Sequence, residues 1–290
     1  MEKILVTGAT GKLGTEVVDL LLDKLNPEYL AVLVRDPSKA EHIKTKGVHV
    51  HQGDYNNYSS LVNAFQGIDK LYFISSNAMV DREEQHKNVI KAAVETKVKH
   101  IVYTSFQRKN EDDSPIRFIT DVHVFTDKLI ENSGLTYTIL KHGLYADFIP
   151  ILIGDKFIET GNIILPAGNG KAAFTLRSDL AAGAVEILTG KGHENKTYEF
   201  CAEKLYDISD IASMLTEIMG KTITYYSPTQ EEFKDALTKA AVPSEFIALI
   251  AGCAEGIRQG EFNIIDNTLS KLLKRESTDM YTFLNNIYNN

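Results

Sequence analysis

The chain has 290 residues, 43% hydrophobic and 24% charged, which excludes a disordered protein and allows one large core or two modest ones. Its net charge of −8 argues against a nucleic-acid partner, whose phosphates need a basic face. Cys201 and Cys253 lie far apart without a CxxC pair, no apolar run reaches the ~18 residues of a membrane span, and no signal pattern precedes the first strand; free thiols, no membrane and a cytoplasmic protein are expected.

Residues 3–14, Lys-Ile-Leu-Val-Thr-Gly-Ala-Thr-Gly-Lys-Leu-Gly, are the most informative stretch. An apolar run ends in a glycine turn and continues at once as a helix predicted over Lys12–Leu22. Gly8 permits a sharp turn, Gly11 lets a phosphate approach main-chain N–H groups, and Gly14 lets the helix pack closely on the strand. The free N–H groups and positive dipole end of that helix suit a pyrophosphate. Gly8, Ala9, Thr10, Gly11, Lys12, Leu13 and Gly14 are therefore candidate dinucleotide-binding residues. The spacing Gly-x-x-Gly-x-x-Gly points to the short-chain dehydrogenase branch of nucleotide-binding folds.

The second strand, Tyr29–Arg35, ends where an NAD enzyme places a carboxylate for the ribose 2′-OH. Here stands Arg35, whose guanidinium would pair with a 2′-phosphate, so NADP(H) is the expected cofactor. The neighbouring Asp36 is expected to turn away as the cap of a helix begun by Pro37-Ser38-Lys39.

Further strands are predicted at Val48–His51, Lys70–Ile74, His100–Thr104 and Leu135–Leu140, with helices near 57–66, 84–96 and 120–132. This alternation implies an α/β fold with a doubly wound parallel sheet, the Rossmann arrangement. In the helix near 84–96, Val89, Ile90, Ala93 and Val94 should form one apolar stripe. His49 and His51 share a strand face but have no third ligand nearby, so no metal site is expected. Asp54, and Ser75, Ser76 and Asn77, fall at carboxyl ends of strands, the edge where open sheets bind ligands. Polar residues are also ordinary in any strand-to-helix loop.

After about residue 145 glycines and prolines cluster, then Arg177-Ser178-Asp179 caps an apolar helix, Leu180–Leu188, followed by a strand at Thr197–Phe200. The remainder, 207–290, is mostly helical with one strand around 222–226. The expected organisation is a dinucleotide-binding Rossmann domain over 1–150 and a smaller, mostly helical substrate-binding part over 151–290, with about 178–200 returning to the sheet.

Together, Val-Thr-Gly-Ala-Thr-Gly-Lys-Leu-Gly, Val-Arg-Asp-Pro-Ser-Lys-Ala, Gly-Asp-Tyr at 53–55, Phe-Ile-Ser-Ser at 73–76, Val-Lys-His-Ile-Val-Tyr-Thr-Ser at 98–105 and Leu-Lys-His-Gly-Leu-Tyr at 140–145 resemble the atypical short-chain dehydrogenases of the NmrA-like family. The likeness is greatest to its bacterial NADPH-dependent quinone oxidoreductase and triphenylmethane reductase members. Further pieces at 167–171, 177–182, 192–198 and 269–273 extend the match to nearly the whole chain. The resemblance implies cofactor contacts at Gly8–Leu13, Arg35, Ser75–Asn77 and along His142, Gly143, Leu144 and Tyr145; Thr104 and Ser105, closing the 98–105 run, join the candidates. Family members usually carry an amide-bearing residue where this chain has His142, which puts that side-chain bond in doubt and leaves the backbone role intact.

A standard short-chain dehydrogenase uses Tyr-x-x-x-Lys to protonate a developing alkoxide. Here Lys128 has Val124 four residues earlier, so the usual acid is missing. Lys128 remains a catalytic candidate, beside the alternative of a solvated residue on an amphipathic helix. Without a proton donor, the acceptors open to an NADPH enzyme are quinones or conjugated dyes, which delocalise or neutralise the incoming hydride. The enzyme then has to stack a planar small molecule on the nicotinamide. Tyr145, Phe106 and Phe148 are candidates to line that slot, plain core packing being the alternative for each. The rival function is a redox-sensing regulator that binds dinucleotide without turnover. Monomer and homodimer both stay open.

Overall fold

The computed structural model describes residues 2–78, 80–109, 111 and 114–289. The chain alternates β1 (Ile4–Thr7), α1 (Lys12–Leu22), β2 (Leu30–Val34), α2 (Glu41–Lys44), β3 (His49–Gln52), α3 (Tyr58–Phe65), β4 (Lys70–Phe73), α4 (Arg82–Glu95), β5 (His100–Phe106), α5 (Arg117–Glu131) and β6 (Thr136–His142). It continues with α6 (Ile149–Ile153), α7 (Phe157–Thr160), β7 (Asn162–Ile164), α8 (Arg177–Thr189), β8 (Lys196–Phe200), α9 (Ile208–Met219), β9 (Thr224–Tyr226), α10 (Gln230–Lys239), α11 (Ser244–Gln259), α12 (Thr268–Leu273) and α13 (Met280–Tyr288).

The main sheet has the order β3-β2-β1-β4-β5-β6-β8, and the pairings among β1 to β6 are all parallel. Ile4 lies opposite Leu30 on one side and Lys70 on the other, so the strand order reverses between β1 and β4. Every residue of β1, β2 and β4 is buried, and apart from Thr7 and Lys70 at strand ends they make the near-continuous hydrophobic run expected of strands covered on both faces. Leu5, Leu33, Leu71, Phe73 and Ile101 point to one face and join Leu61, Phe65, Val89, Ile90 and Ile130 from α3, α4 and α5.

Two compact units divide the chain: Met1–Phe106, Asp121–His142 and Arg177–Glu199 form one, and Gln107–Thr120, Gly143–Leu176 and Phe200–Asn290 the other. Within the first, α8 packs against α1. Lys70, only 7% exposed, donates from Nζ to the Leu188 carbonyl at 2.9 Å and pairs with Glu2 at 2.9 Å. Its charge thereby meets the negative end of α8.

In the second unit, the strand expected near 222–226 is β9, and its parallel partner β7, Asn162 opposite Thr224, was not anticipated from the sequence. A capping box of Asp207 and Asp210 starts α9. Cys201 and Cys253 are buried and in no disulfide, and burial pushes Cys253 up to about 12, so its thiolate is not formed at neutral pH.

Two local expectations need correction. Val94 is 43% exposed and leaves the α4 stripe, which instead runs through Gln85, His86, Val89, Ile90, Ala92 and Ala93. Ala93 sits at the centre of that face, and the next residue lies about 100° around the helix. The helix begun by Pro37 is a 3-10 turn, Pro37–Ala40, leading into the single α-turn of α2. No helix among the described residues is long and apolar enough to cross a membrane.

Candidate functional site

The glycine turn stands at the carboxyl end of β1. Gly8 has φ +60°, the left-handed region that glycine enters without a Cβ penalty. Gly11 N donates to Gly8 O at 3.0 Å and Thr15 Oγ1 to Ala9 O at 3.1 Å, which fixes the turn from within. Gly11 caps α1 with no side-chain hydrogen bond, and Gly8, Thr10, Gly11 and Lys12 are exposed, so the first N–H groups of α1 face outward as an anion cradle. Ala9, Leu13 and Gly14 are buried beneath. A Cβ on Gly14 would lie 2.2 Å from Gly8 O and 2.8 Å from Ala9 Cα, so only glycine lets helix and turn meet this closely.

Arg35 follows β2 with its side chain exposed and in no ion pair among the described residues. Asp36 turns away as the sequence predicts: its Oδ1 accepts from Ser38 N at 3.0 Å and Ser38 Oγ at 2.6 Å, bonds that hold its carboxyl below the usual range. Asp54 is half-buried and shapes the turn into α3, its Oδ1 accepting Asn56 N–H at 2.8 Å. The adjacent Tyr55, not singled out by sequence reasoning, places its hydroxyl 2.6 Å from Thr7 Oγ1 and 2.9 Å from Ile74 O, and burial pushes that hydroxyl well up from its ordinary value. One tyrosine thus ties together the ends of β1, β3 and β4.

The loop after β4 touches the glycine turn, since a Cβ on Gly8 would meet Ile74 Cβ at 3.3 Å. Ser75 N donates to Thr104 Oγ1 at 2.8 Å and Ser76 N to His86 Nε2 at 3.2 Å. Because Nε2 accepts a main-chain N–H, the ring proton sits on Nδ1, which lies 2.7 Å from Thr126 Oγ1. Burial, then the nearby Arg82 charge, pushes His86 down to about 3, so the ring is neutral. Arg82 Nη2 donates to Ser75 Oγ at 2.7 Å and lies 3.1 Å from His123 Nε2. His123 Nδ1 is 2.9 Å from the Tyr103 hydroxyl, and Phe106 stacks on the His123 ring at 5.8 Å.

At this edge of the first unit the structure brings together Gly8–Gly14, Arg35, Asp54, Ser75–Asn77, Thr104 and Ser105. The last two are buried and their side chains turn inward, Thr104 to Ser75 and Ser105 Oγ to Asp127 Oδ2 at 2.9 Å. They form the wall beneath the loop. Lys128 is exposed while Asp127 and His123 are buried, which places it on the outer face of α5. His86, His123 and Arg82 carried no motif; the one available signal was histidine recurring on otherwise apolar helix faces.

His142 closes β6 fully buried, and burial together with the Arg177 charge pushes it down to about 3. In the second unit Gly143 N donates to Phe200 O at 3.0 Å, Ala146 N to Thr175 O at 3.0 Å and Thr175 N to Leu144 O at 2.9 Å. A Cβ on Gly143 would lie 2.9 Å from Cys201 Cβ, so this stretch is held by its backbone. Tyr145 and Phe148 are half-buried on either side of the turn that Phe148 N closes onto Tyr145 O at 3.0 Å.

The chain is 34% identical over 286 residues to quinone oxidoreductase 2 of Escherichia coli K12, covering 99% of both sequences. The solved structure of the E. coli NADPH-dependent quinone oxidoreductase in complex with NADPH superposes with a TM-score of 0.91 at 34% identity, over 99% of this chain and 100% of that one. The Citrobacter sp. triphenylmethane reductase complexed with NADP(H) superposes with a TM-score of 0.90 at 33% identity, over 98% and 99%. The NmrA-like family model matches residues 1–285, and the chain belongs to the NmrA-like family.

Proposed function

We propose that the protein is an NADPH-dependent reductase that transfers hydride to quinones or similar planar, conjugated acceptors such as dyes. The observation that carries the reading is the exposed glycine cradle with the uncommitted Arg35 beside it, in a chain whose full-length relatives are NADPH-dependent reductases. The residues fit the cofactor: Gly14 leaves no room for a side chain under the turn, the first turn of α1 after Gly11 offers N–H groups to a pyrophosphate, and Asp36 is tied to Ser38 and so does not cancel the Arg35 charge. When bound, NADPH supplies the hydride.

The chain's own residues bind and orient. The backbone of Gly8–Gly14 receives the pyrophosphate, Arg35 pairs with the 2′-phosphate, and Ser75–Asn77 with the 142–145 stretch place the remainder. Phe106, Tyr145 and Phe148 are proposed to hold the flat acceptor. No side-chain acid takes part: Val124 stands where a tyrosine would, and Lys128 points outward. A quinone needs none, because its reduced oxygens are weakly basic and take protons from water. Rate then comes from proximity and orientation. The protein is taken to act in the cytoplasm.

The test is loss of NADPH absorbance when purified protein meets a panel of quinones, azo dyes and triphenylmethane dyes. Turnover with planar acceptors and none with simple ketones is the expected result. NADPH binding without turnover on any acceptor would replace this reading with the regulator.

A further inference from the structure

The loop after β4 is held by two side chains of α4 that the proposed reaction does not otherwise use. His86 occupies the apolar face of α4 beside Val89 and Ile90, where a polar ring costs desolvation unless its nitrogens are satisfied. Both are satisfied by groups outside the helix: Ser76 N–H on Nε2 and Thr126 Oγ1 on Nδ1. Thr126 is itself fixed, its hydroxyl donating to Val122 O at 2.6 Å. Arg82, the first residue of α4, sets one nitrogen between Ser75 Oγ and His123, on which Phe106 stacks.

We infer that His86 and Arg82 are positioning residues, His86 fixing the backbone of Ser75–Ser76 against the glycine turn and Arg82 joining that loop through His123 to Phe106. The inference rests on the reading of the glycine turn as a dinucleotide site. It assigns the two residues different tasks. His86 grips the main chain, so its loss loosens the cofactor edge alone. Arg82 bridges two elements, so its loss loosens both the cofactor edge and the Phe106 wall.

The test compares two amides at position 86 in the full-length protein. In His86→Gln the longer side chain can put its oxygen where Nε2 sits and accept Ser76 N–H; in His86→Asn the shorter one reaches only toward Thr126. His86→Gln keeps the contacts of Nε2 with Ser76 N and Ser75 Oγ, His86→Asn that of Nδ1 with Thr126 Oγ1, and since each gives up buried contacts both should lower Tm. Titrated by nucleotide fluorescence, His86→Asn should weaken NADPH binding about tenfold, as loss of one buried hydrogen bond does, while His86→Gln stays within about threefold and kcat with 1,4-naphthoquinone changes little in either. Arg82→Met should raise both the NADPH Kd and the naphthoquinone KM, whereas Phe106→Ala raises the KM alone.

Equal weakening of the two amide variants in step with Tm, or no weakening in either, overturns the role of His86. An Arg82→Met variant that leaves the naphthoquinone KM untouched overturns the bridge. A wild-type protein that binds NADPH but reduces no quinone defeats the acceptor assignment, and the His86 comparison is still decided by binding alone.

Discussion

Reversing the charge at Arg35 should convert a nicotinamide preference, and the structure sets its size. The side chain is exposed and in no ion pair among the described residues, so Arg35→Asp should leave the free energy of unfolding within about 0.5 kcal/mol of wild type. What changes is the partner of the 2′-phosphate. Losing a charge-assisted hydrogen bond costs ~1.5–3 kcal/mol. A carboxylate in its place adds repulsion of ~1 kcal/mol at about 4 Å in water-like dielectric, and the exposure of the site keeps the added term near that low end. The sum, ~3 kcal/mol, corresponds to roughly a hundredfold weaker NADPH binding. NADH lacks the phosphate and should lose less than about fivefold, and the NADPH penalty should shrink as salt screens it. Titration of both nucleotides against the variant at low and high ionic strength is the assay. Equal losses for the two nucleotides would refute the assignment of Arg35.

Gly14→Ala places a methyl group 2.2 Å from Gly8 O and should destabilise the fold by ~1–3 kcal/mol, read as a lower midpoint in urea together with weakened NADPH binding; a variant as stable and as tight as wild type would contradict the described turn. Lys128→Ala should lower kcat by less than about tenfold, against the ~10²–10⁴ lost with a true general acid, and a thousandfold loss with folding and NADPH binding intact would mean that the enzyme supplies the proton. Tyr145→Ala should raise the acceptor KM and lower kcat together, and unchanged constants would remove it from the acceptor slot. His86 and His142, each held neutral down to about 3, bind fewer protons folded than unfolded below pH 6.5, so stability is full above that value and falls by up to ~1.4 kcal/mol per pH unit for each as pH drops toward 3; a flat urea midpoint from pH 7 to 5 would contradict their burial.

The sheet was legible because parallel strands buried on both faces are mostly apolar, and β1, β2 and β4 are, with Thr7 and Lys70 at strand ends as the polar exceptions. Asp36 was legible because aspartate before Pro-Ser is a local capping signal, needing nothing from the rest of the chain. The network under the 75–77 loop was not: Arg82 and His86 belong to α4, His123 and Thr126 to α5, and Tyr103 and Thr104 to β5, and no spacing rule says which will converge. A histidine three residues before Val89 on a helix of apolar period marks a buried polar group without naming its partner. β7, and with it the pairing to β9, escaped for a similar reason. A strand of three residues, Asn162–Ile164, carries too little alternation to register, and no local signal names a partner so far along the chain.

Lys70 reaches across 118 positions to cap α8, and Arg177–Glu199 completes the first unit. That unit therefore cannot be released by cutting the chain once. A fragment ending at residue 176 would bare the side of α1 that α8 covers, so it should collect as insoluble material, whereas rejoining 177–199 to residue 142 through a short linker should recover it. During synthesis the same arrangement makes the ribosome produce residues 143–176 before the helix that closes the first unit exists. Folding of this unit then waits on its last segment, which predicts slow, late acquisition of protease resistance in stalled nascent chains and a jump once residue 199 has cleared the exit tunnel.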